Sequence, residues 1–192
     1  MSERTIRPTD LPFLSGHEPF HGLDAQVSDF WRWAFNDLRD NTTRGVLAEF
    51  IVARAVGDDR RWREGWANHD VLTPSGIRVE VKSSGRLQSW SQKRLSSPIF
   101  GRLTGRPWDP EAEVWGTARE IRADVFVFAL QTCMDPSAYN VLDLDQWEFY
   151  VVPASEIERV SSRSIGLGTL RSVGAECVTV ALLRDAVESA RG

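Results

Sequence analysis

One apolar run limits the possible folds of this chain more than any other segment. ADVFVFAL, residues 123–130, has the length of a strand and carries a single charged residue. Continuous runs of this kind are typical of strands buried on both faces, as in sheets packed between helices. WEFYVVP, residues 147–153, is another predicted strand, which ends at Pro153. We therefore expect an α/β fold, in which a mixed central β-sheet is flanked by helices.

The helices are predicted from apolar periodicity and from signals at their ends. Residues 25–38 carry aromatic side chains at helical spacing. The segment 43–56 is strongly apolar, and the Asn-Thr-Thr sequence at 41–43 can cap it while Gly57 can end it. Residues 1–23 are rich in Pro, Gly and His and predict an irregular segment. Further predicted elements are strands at 66–73, 77–83 and 176–182, helices at 153–160 and 183–190, and a loop-rich segment at 84–120.

Length and composition narrow the class of protein. A chain of 192 residues fits one domain, residues 1–192, with a core of its own. No apolar stretch approaches the ~20 residues that span a bilayer, and the N-terminus lacks the apolar region of a secretory signal. Cys133 and Cys177 have no CxxC spacing, so we expect reduced core cysteines in a cytoplasmic protein.

The stretch DVLTPSGIRVEVKSS, residues 70–84, predicts a β-hairpin. Apolar and charged residues alternate after its turn, as in a strand with one apolar face. If Pro-Ser-Gly forms a three-residue loop with its glycine in the left-handed conformation, Thr73 pairs with Ile77 and Val71 pairs with Val79. The turn therefore predicts the register of the hairpin.

The same register brings two carboxylates together. Asp70 faces Glu80 across the hairpin, with Cβ atoms ~5 Å apart. Like charges in that arrangement are destabilising, so a positive charge should compensate: Lys82, Arg78 or a divalent cation. A loop of two or four residues would instead place Asp70 opposite Val79.

A third acid lies in the predicted helix before the hairpin. Glu49 is spaced three and four residues from Val46 and Ala53, so it interrupts an apolar stripe. A buried carboxylate is costly unless it is paired or binds a metal. The alternative is that Glu49 points outward and forms a surface ion pair with Arg44 or Arg54, which is the commoner case for a single charge.

A basic run begins at the hairpin. Between Arg78 and Arg106 the chain has seven basic residues and Glu80 as the single acid, although the whole chain has a net charge of −4. Such a run can bind a phosphate backbone, or it can be a solvated loop. Its basic members are Arg78, Lys82, Arg86, Lys93, Arg94, Arg102 and Arg106.

These features together resemble the PD-(D/E)XK nuclease superfamily, the restriction-endonuclease-like fold. The motif is an apolar helix with an inner Glu, then Asp70, nine residues, Glu80, one residue and Lys82. Its flanks, RGVLAEFIVARAVG, WANHDVLTPSGIRVEVKSSGRLQSWSQ and ADVFVFAL, are similar to one bacterial branch. The resemblance covers residues 43–153. His69 stands where the family name places a proline.

The resemblance implies roles for individual residues. Asp70, Glu80 and the carbonyl of Val81 would bind the metal, and Lys82 would act on the attacking water and the phosphate. Glu49 would complete the site, directly or through water. The implied nucleic-acid contacts come from residues after the lysine: Ser83, Ser84, Arg86, Gln88, Gln92, Lys93, Arg94, Arg102 and Arg106.

The residue types agree with the implied chemistry. Oxygen ligands without thiols favour Mg²⁺ or Mn²⁺ over zinc. Such a metal polarises the phosphoryl oxygen and lowers the pKa of a bound water. Lys82, beside two carboxylates, should stay charged and stabilise charge at the phosphate. No organic cofactor is expected, because the glycine-rich SIGLGTL at 164–170 has neither a lysine nor GxGxxG spacing.

We therefore expect a metal-dependent endonuclease that hydrolyses phosphodiester bonds in DNA, working as a homodimer by family analogy and not at a membrane. One alternative is a catalytically silent module of the same fold that binds nucleic acid or a partner protein. Another is that the hairpin charges form ordinary surface ion pairs. Tryptophans near the basic run could stack on bases, or pack in the core.

Overall fold

The computed structural model describes residues 13–60, 62–109, 114–160 and 163–191. The chain divides into two compact units, Met1–Asp37 and Leu38–Gly192. Nothing in this division tests the single-domain prediction for 1–192, which stays a prediction.

The described part of the first unit, residues 13–37, contains one helix, α1, Val27–Phe35. The backbone N–H of Gln26, just before it, donates to Oδ2 of Asp29 at 2.8 Å. A carboxylate in the first turn is favoured by the partial positive charge at the N-terminus of a helix. The helix predicted at 25–38 is confirmed, with shorter ends.

The irregular N-terminal prediction is tested only in part. Residues 13–23 form no helix or strand apart from a single bridge at Pro19, as expected for that segment. Residues 1–12 lie outside the described residues.

The second unit contains nine strands and four helices in its described parts. The strands are β1 (Val71–Leu72), β2 (Arg78–Gly85), β3 (Ile99–Gly101), β4 (Trp108–Asp109), β5 (Val114–Trp115), β6 (Val125–Gln131), β7 (Trp147–Pro153), β8 (Ser164–Gly166) and β9 (Glu176–Val178). The helices are α2 (Asn41–Val56), α3 (Ala154–Val160), α4 (Leu167–Ser172) and α5 (Leu183–Ser189), with 3₁₀ turns at Leu144–Gln146 and Val180–Leu182.

A mixed five-stranded sheet forms the centre of the second unit, in the order β1-β2-β6-β7-β9. The β2–β6 pair is parallel, and the other three pairs are antiparallel. All seven residues of β6 are buried, as its continuous apolar sequence predicted. The prediction of an α/β fold with a mixed sheet is confirmed. Two further pairs, β3–β8 and β4–β5, lie outside this sheet.

The central sheet buries a separate core on each face. On one face, aliphatic side chains of β2 and β6 pack with α2 and α5, including Val79 and Val127. On the other face, Phe126 and Phe128 of β6 pack with Phe100 of β3 and with residues of α3 and α4. A strand covered on both sides explains why β6 carries apolar residues at successive positions.

The helix α2 begins and ends at identifiable residues. Asp40 is its N-cap, and the Asp40 carboxylate accepts the backbone N–H of Thr42 at 2.9 Å. The cap predicted within Asn-Thr-Thr is therefore wrong by one residue. Gly57 ends the helix with φ of 86°, as predicted, since this left-handed conformation favours glycine.

The hairpin has the predicted register. Val71 pairs with Val79, and the N–H of Thr73 donates to the carbonyl of Ile77 at 3.0 Å. Gly76 has φ of 86°, the left-handed conformation that a three-residue loop requires. The first strand is shorter than the predicted 66–73, because regular pairing begins at Val71.

The connection from β2 to β6 contains β3, β4 and β5 and no helix in its described parts. Phe100 and Leu103 of this connection are buried in the aromatic core. Both cysteines are free thiols, but Cys177 is exposed, so the prediction of a core cysteine is wrong there. Among the described residues, no helix is long and apolar enough to cross a membrane.

Candidate functional site

The predicted acids and lysine meet beside β2. The backbone N–H of Asp70 continues the hairpin by donating to the carbonyl of Val79 at 3.1 Å. The Asp70 carboxylate reaches two residues further along β2, where its Oδ2 accepts the N–H of Val81 at 2.8 Å. Lys82 Nζ lies 2.5 Å from Oε1 of Glu80. The hairpin therefore brings two carboxylates and one ammonium group to the same edge.

The carbonyl of Val81 faces this edge as well. The N–H and C=O groups of one strand residue point to the same side, and the Val81 N–H points at Asp70. A metal held by Asp70 and Glu80 would have this carbonyl on its side of the strand. The Asp70 carboxylate and the Val81 carbonyl therefore lie on the same side of β2, and Glu80 is close enough for its charge to raise the pKa of Asp70.

The electrostatic environment of Asp70 is unfavourable for a carboxylate. Burial and then the negative charge of Glu80 raise the pKa of Asp70 to about 6, although the charge of Lys82 and the Val81 N–H oppose this shift. The Asp70 side chain accepts this one hydrogen bond among the described residues. A cation at this position would offset both effects that raise the pKa.

Glu49 reaches the same region from α2, and its partner is a residue that the sequence did not indicate. Arg63 Nε and Nη2 both donate to the Glu49 carboxylate, the latter at 3.1 Å. The Glu49 side chain is only 14% exposed. Burial raises the pKa of Glu49, and the Arg63 hydrogen bond opposes that shift. The predicted alternatives, surface pairs with Arg44 or Arg54, are wrong.

A cavity of about 210 Å³ lies between α2 and the start of β1. Glu49 and Asp70 both line it, together with Arg63 and Arg60. The negative charge of Asp70 also contributes to the raised pKa of Glu49. The inner acid of the helix and the hairpin aspartate therefore share one cavity, as the motif required.

The donor set can be compared with the needs of a metal ion. Within the described residues, no three His, Cys, Asp or Glu side chains are grouped closely enough to hold a metal. This excludes a ready-made cage such as a structural zinc site, but Mg²⁺ needs only one or two carboxylates and keeps several waters. Asp70, Glu80 and the Val81 carbonyl are hard oxygen donors of that kind, so the residues present fit Mg²⁺ or Mn²⁺.

A second aspartate near the hairpin has fully satisfied oxygens. Arg60 binds the Asp58 carboxylate through Nη2, at 2.6 Å, and through Nε. The N–H of Leu72 also donates to Asp58, at 3.0 Å. Burial alone would raise the pKa of Asp58, but these hydrogen bonds hold it below its usual value. Arg60 further donates to the carbonyl of Asp70 at 2.8 Å, so this pair positions the hairpin.

His69 adjoins the site without joining its hydrogen bonds. Its Nε2 is buried and has no hydrogen-bond partner among the described residues. Burial, with the charges of Arg60 and Arg78, lowers the pKa of His69. A neutral imidazole is therefore favoured beside Asp70.

The loop after β2 is organised by one glutamine. Gln92 Oε1 accepts the N–H of Gln88 at 2.8 Å, and Gln92 Nε2 donates to the carbonyl of Arg86 at 3.2 Å and to Ser96 Oγ at 3.0 Å. Gln88 Nε2 donates to the carbonyl of Gly85 at 2.8 Å. Both predicted glutamines therefore fix the loop against the end of β2.

That loop and residues 134–139 enclose a second cavity, of about 390 Å³, which we call the β2-end cavity. Of the residues predicted to bind nucleic acid, four line it: Gln88, Gln92, Lys93 and Arg94. Arg39 and Trp90 also line it.

The other predicted nucleic-acid residues are not gathered there. Ser84 is buried, Ser83 and Arg86 are half-buried, and Arg102 and Arg106 are exposed on the β2–β6 connection. Arg102 has φ of 58°. Two members of the basic run already have acidic partners, because Arg78 pairs with Asp124 at 2.6 Å and Lys82 with Glu80.

Three tryptophans form a partly exposed group. Trp66, Trp108 and Trp115 have ring centroids 5.2 to 5.9 Å apart. Trp66 and Trp115 are exposed, as is Trp90, so packing in the core is not their role. Asn68 holds Trp108 through a pair of 3.2 Å hydrogen bonds to its backbone.

Sequence reasoning missed several residues of the region, of which Arg63 and Arg60 are the most important. Arg63 lies fourteen residues from Glu49, in a segment without periodicity, so no spacing signal indicated the pair. Arg44 was missed as a buried residue; its Nη2 binds Oδ1 of Asn41 at 2.5 Å, and its Nη1 binds the carbonyl of Arg39.

No protein-family model matches the sequence, and no curated protein matches it significantly.

Proposed function

We propose that this protein is a metal-dependent endonuclease of the restriction-endonuclease-like fold, which hydrolyses phosphodiester bonds in DNA. The observation that carries the proposal is the meeting of Asp70, Glu80, Lys82 and the Val81 carbonyl at one edge of β2. The hairpin register accounts for this meeting. The mixed sheet, with α2 packed on β2, agrees with the proposed fold.

Each group has a role in the proposed mechanism. Asp70, Glu80 and the Val81 carbonyl would hold Mg²⁺ or Mn²⁺, which supplies Lewis-acid activation of the phosphate and of a water. Lys82 is placed by its bond to Glu80 to stabilise charge on the phosphate. Glu49, across the shared cavity, would orient water near the metal.

The alternative is a catalytically silent module that binds nucleic acid or a partner protein through the same fold. All four side chains of the motif are present, and Asp70 is buried with a single hydrogen bond from the described residues, which favours the enzyme. The Asp70→Asn substitution distinguishes the two functions, because it should remove cleavage by an enzyme but not binding by a silent module.

The test combines isothermal titration of Mg²⁺ and Mn²⁺ with nicking of supercoiled plasmid by wild-type and Asp70→Asn protein. An enzyme is expected to bind the metal, to nick the plasmid with Mg²⁺, and to lose about 100- to 1000-fold of the nicking rate on substitution. Asp59→Ala, which changes an exposed acid close to the site, is the control and should nick normally. A wild-type protein that binds no metal and does not nick would overturn the proposal.

A further inference from the structure

The β2-end cavity has an unbalanced charge. Of the described residues that line it, three are basic, Arg39, Lys93 and Arg94, and none is acidic. Lys93 and Arg94 are exposed and form no ion pair with other described residues. A chain that is acidic overall therefore has a cavity suited to an anionic ligand.

The cavity also offers a surface for a flat apolar group. Trp90, which is 53% exposed, lines it together with Leu87 and Met134. Its volume of about 390 Å³ lies in the range of sites that bind small organic groups. An inorganic anion would leave this apolar lining unused.

The charge and the aromatic ring point to one class of ligand. A basic cavity with the exposed ring of Trp90 in its wall suits a ligand that carries both negative charge and a flat ring. These two features occur together in a nucleotide.

The cavity lies close to the proposed site of cleavage. Gly85, which anchors Gln88, is three residues after Lys82 in the same strand, or about 10 Å along it. Stacked nucleotides advance about 3.4 Å each along one strand. We propose that the β2-end cavity binds one unpaired base of the DNA strand that is cut, within about three nucleotides of the scissile phosphate. The identity of the strand and the position of the cut rest on the proposed nuclease function.

Binding can be measured apart from cleavage. The Asp70→Asn protein, without divalent metal, is titrated into fluorescent duplexes that are fully paired, carry one unpaired adenine, or carry an abasic nucleotide at the same position. Stacking on Trp90 predicts that the unpaired adenine is bound about 5- to 100-fold more tightly than the abasic nucleotide. Fluorescence anisotropy gives the dissociation constants.

Two tryptophan substitutions in that background locate the base. Trp90→Ala is expected to abolish the preference, and Trp90→Phe, which keeps an aromatic ring, to retain part of it. The matched control is Trp115→Ala, since Trp115 is 51% exposed but belongs to the other tryptophan group. Equal affinity for adenine and abasic duplexes, a preference that survives Trp90→Ala, or a loss caused by Trp115→Ala instead would each overturn the proposal.

Cleavage by the otherwise wild-type protein separates this inference from the function on which it rests. With Mg²⁺, the cuts are expected within about three nucleotides of the unpaired adenine, and Trp90→Ala should scatter the positions of the cuts that remain. Cuts unrelated to that position would overturn the placement of the base. If the wild-type protein does not nick DNA, the proposed nuclease function is wrong. The preference for the unpaired adenine in the binding experiment would still show whether the β2-end cavity binds a base.

Discussion

Asp58 and Asp70 both lie beside the short strand β1, but their carboxylates differ in the hydrogen bonds that they accept and in the direction of their pKa shifts. Asp58 accepts hydrogen bonds from Arg60 and from the Leu72 N–H, and its pKa is held low. Asp70 accepts one, from the Val81 N–H, and its pKa is raised to about 6 by burial and by Glu80. The first carboxylate is bound on both oxygens by neighbouring groups, whereas the second is buried and accepts a single hydrogen bond from the described residues.

Removing the satisfied aspartate should have the largest effect on stability. Asp58→Ala leaves Arg60 without its partner in a site where the Asp58 side chain is only 4% exposed. Losing one member of such a pair costs about 3 kcal/mol of the free energy of unfolding. Urea denaturation measures the change, with Asp59→Ala as the control on an exposed neighbour, expected within about 0.5 kcal/mol of wild type. Equal losses in both variants would contradict a structural role for Asp58.

Removing the poorly satisfied aspartate should have a smaller effect of opposite sign. Asp70→Asn keeps an acceptor for the Val81 N–H and removes a charge that burial and Glu80 disfavour. In EDTA at pH 7, we expect the free energy of unfolding to rise by about 1 to 2 kcal/mol. The same urea series measures it. A destabilisation like that of Asp58→Ala would mean that Asp70 too is a structural residue, and the contrast would disappear.

The free energies of unfolding of the two variants should also depend on pH in opposite ways. Asp70 titrates near pH 6 when folded and near pH 4 when unfolded, so its carboxylate destabilises the fold above pH 6. The advantage of Asp70→Asn should therefore be present at pH 7 and vanish by about pH 4. Asp58 has a lowered pKa, so its contribution is present above about pH 4 and is lost only as the pH falls through the folded value. Urea unfolding in EDTA from about pH 2 to pH 8 measures the free energy of unfolding of both variants and of the wild type. If the differences from the wild type do not change with pH, both expected signs are contradicted.

The smallest expected effect concerns the partner of Glu49. Arg63 is about half exposed, so Arg63→Gln should change the free energy of unfolding by less than about 1 kcal/mol. It also frees Glu49 for the proposed metal site, and we expect Mg²⁺ to bind up to about fivefold more tightly by calorimetry. The control is Arg54→Gln. Arg54 lies on the same helix as Glu49, but its guanidinium stacks over the ring of Phe50 and does not bind Glu49. Weaker binding in Arg63→Gln would show that Arg63 supports the site instead of competing for Glu49.

The parts of the site that the sequence predicted are those that local rules determine. Pro-Ser-Gly and the alternation after it specify the turn and the register, and these place Asp70 beside Glu80 without reference to the rest of the fold. The apolar length of β6 likewise determines that it is a buried strand.

The parts that were missed depend on contacts between segments without periodicity. Arg63 and Arg60 lie in the irregular segment after α2, where nothing in the spacing shows which acid each side chain meets. Trp90, in the loop after β2, and Trp115, in β5, are exposed, although composition alone favours burial of tryptophan.

The position of β2 in the sheet has a consequence for how the protein folds. α2, β1 and β2 are consecutive in the chain, so the contacts that assemble Glu49, Asp70, Glu80 and Lys82 close only short loops. The parallel β2–β6 pair must instead wait for the long connection 86–124 to close, and such non-local pairing is slow. We therefore expect the acidic hairpin to form before its second neighbouring strand, β6, is in place.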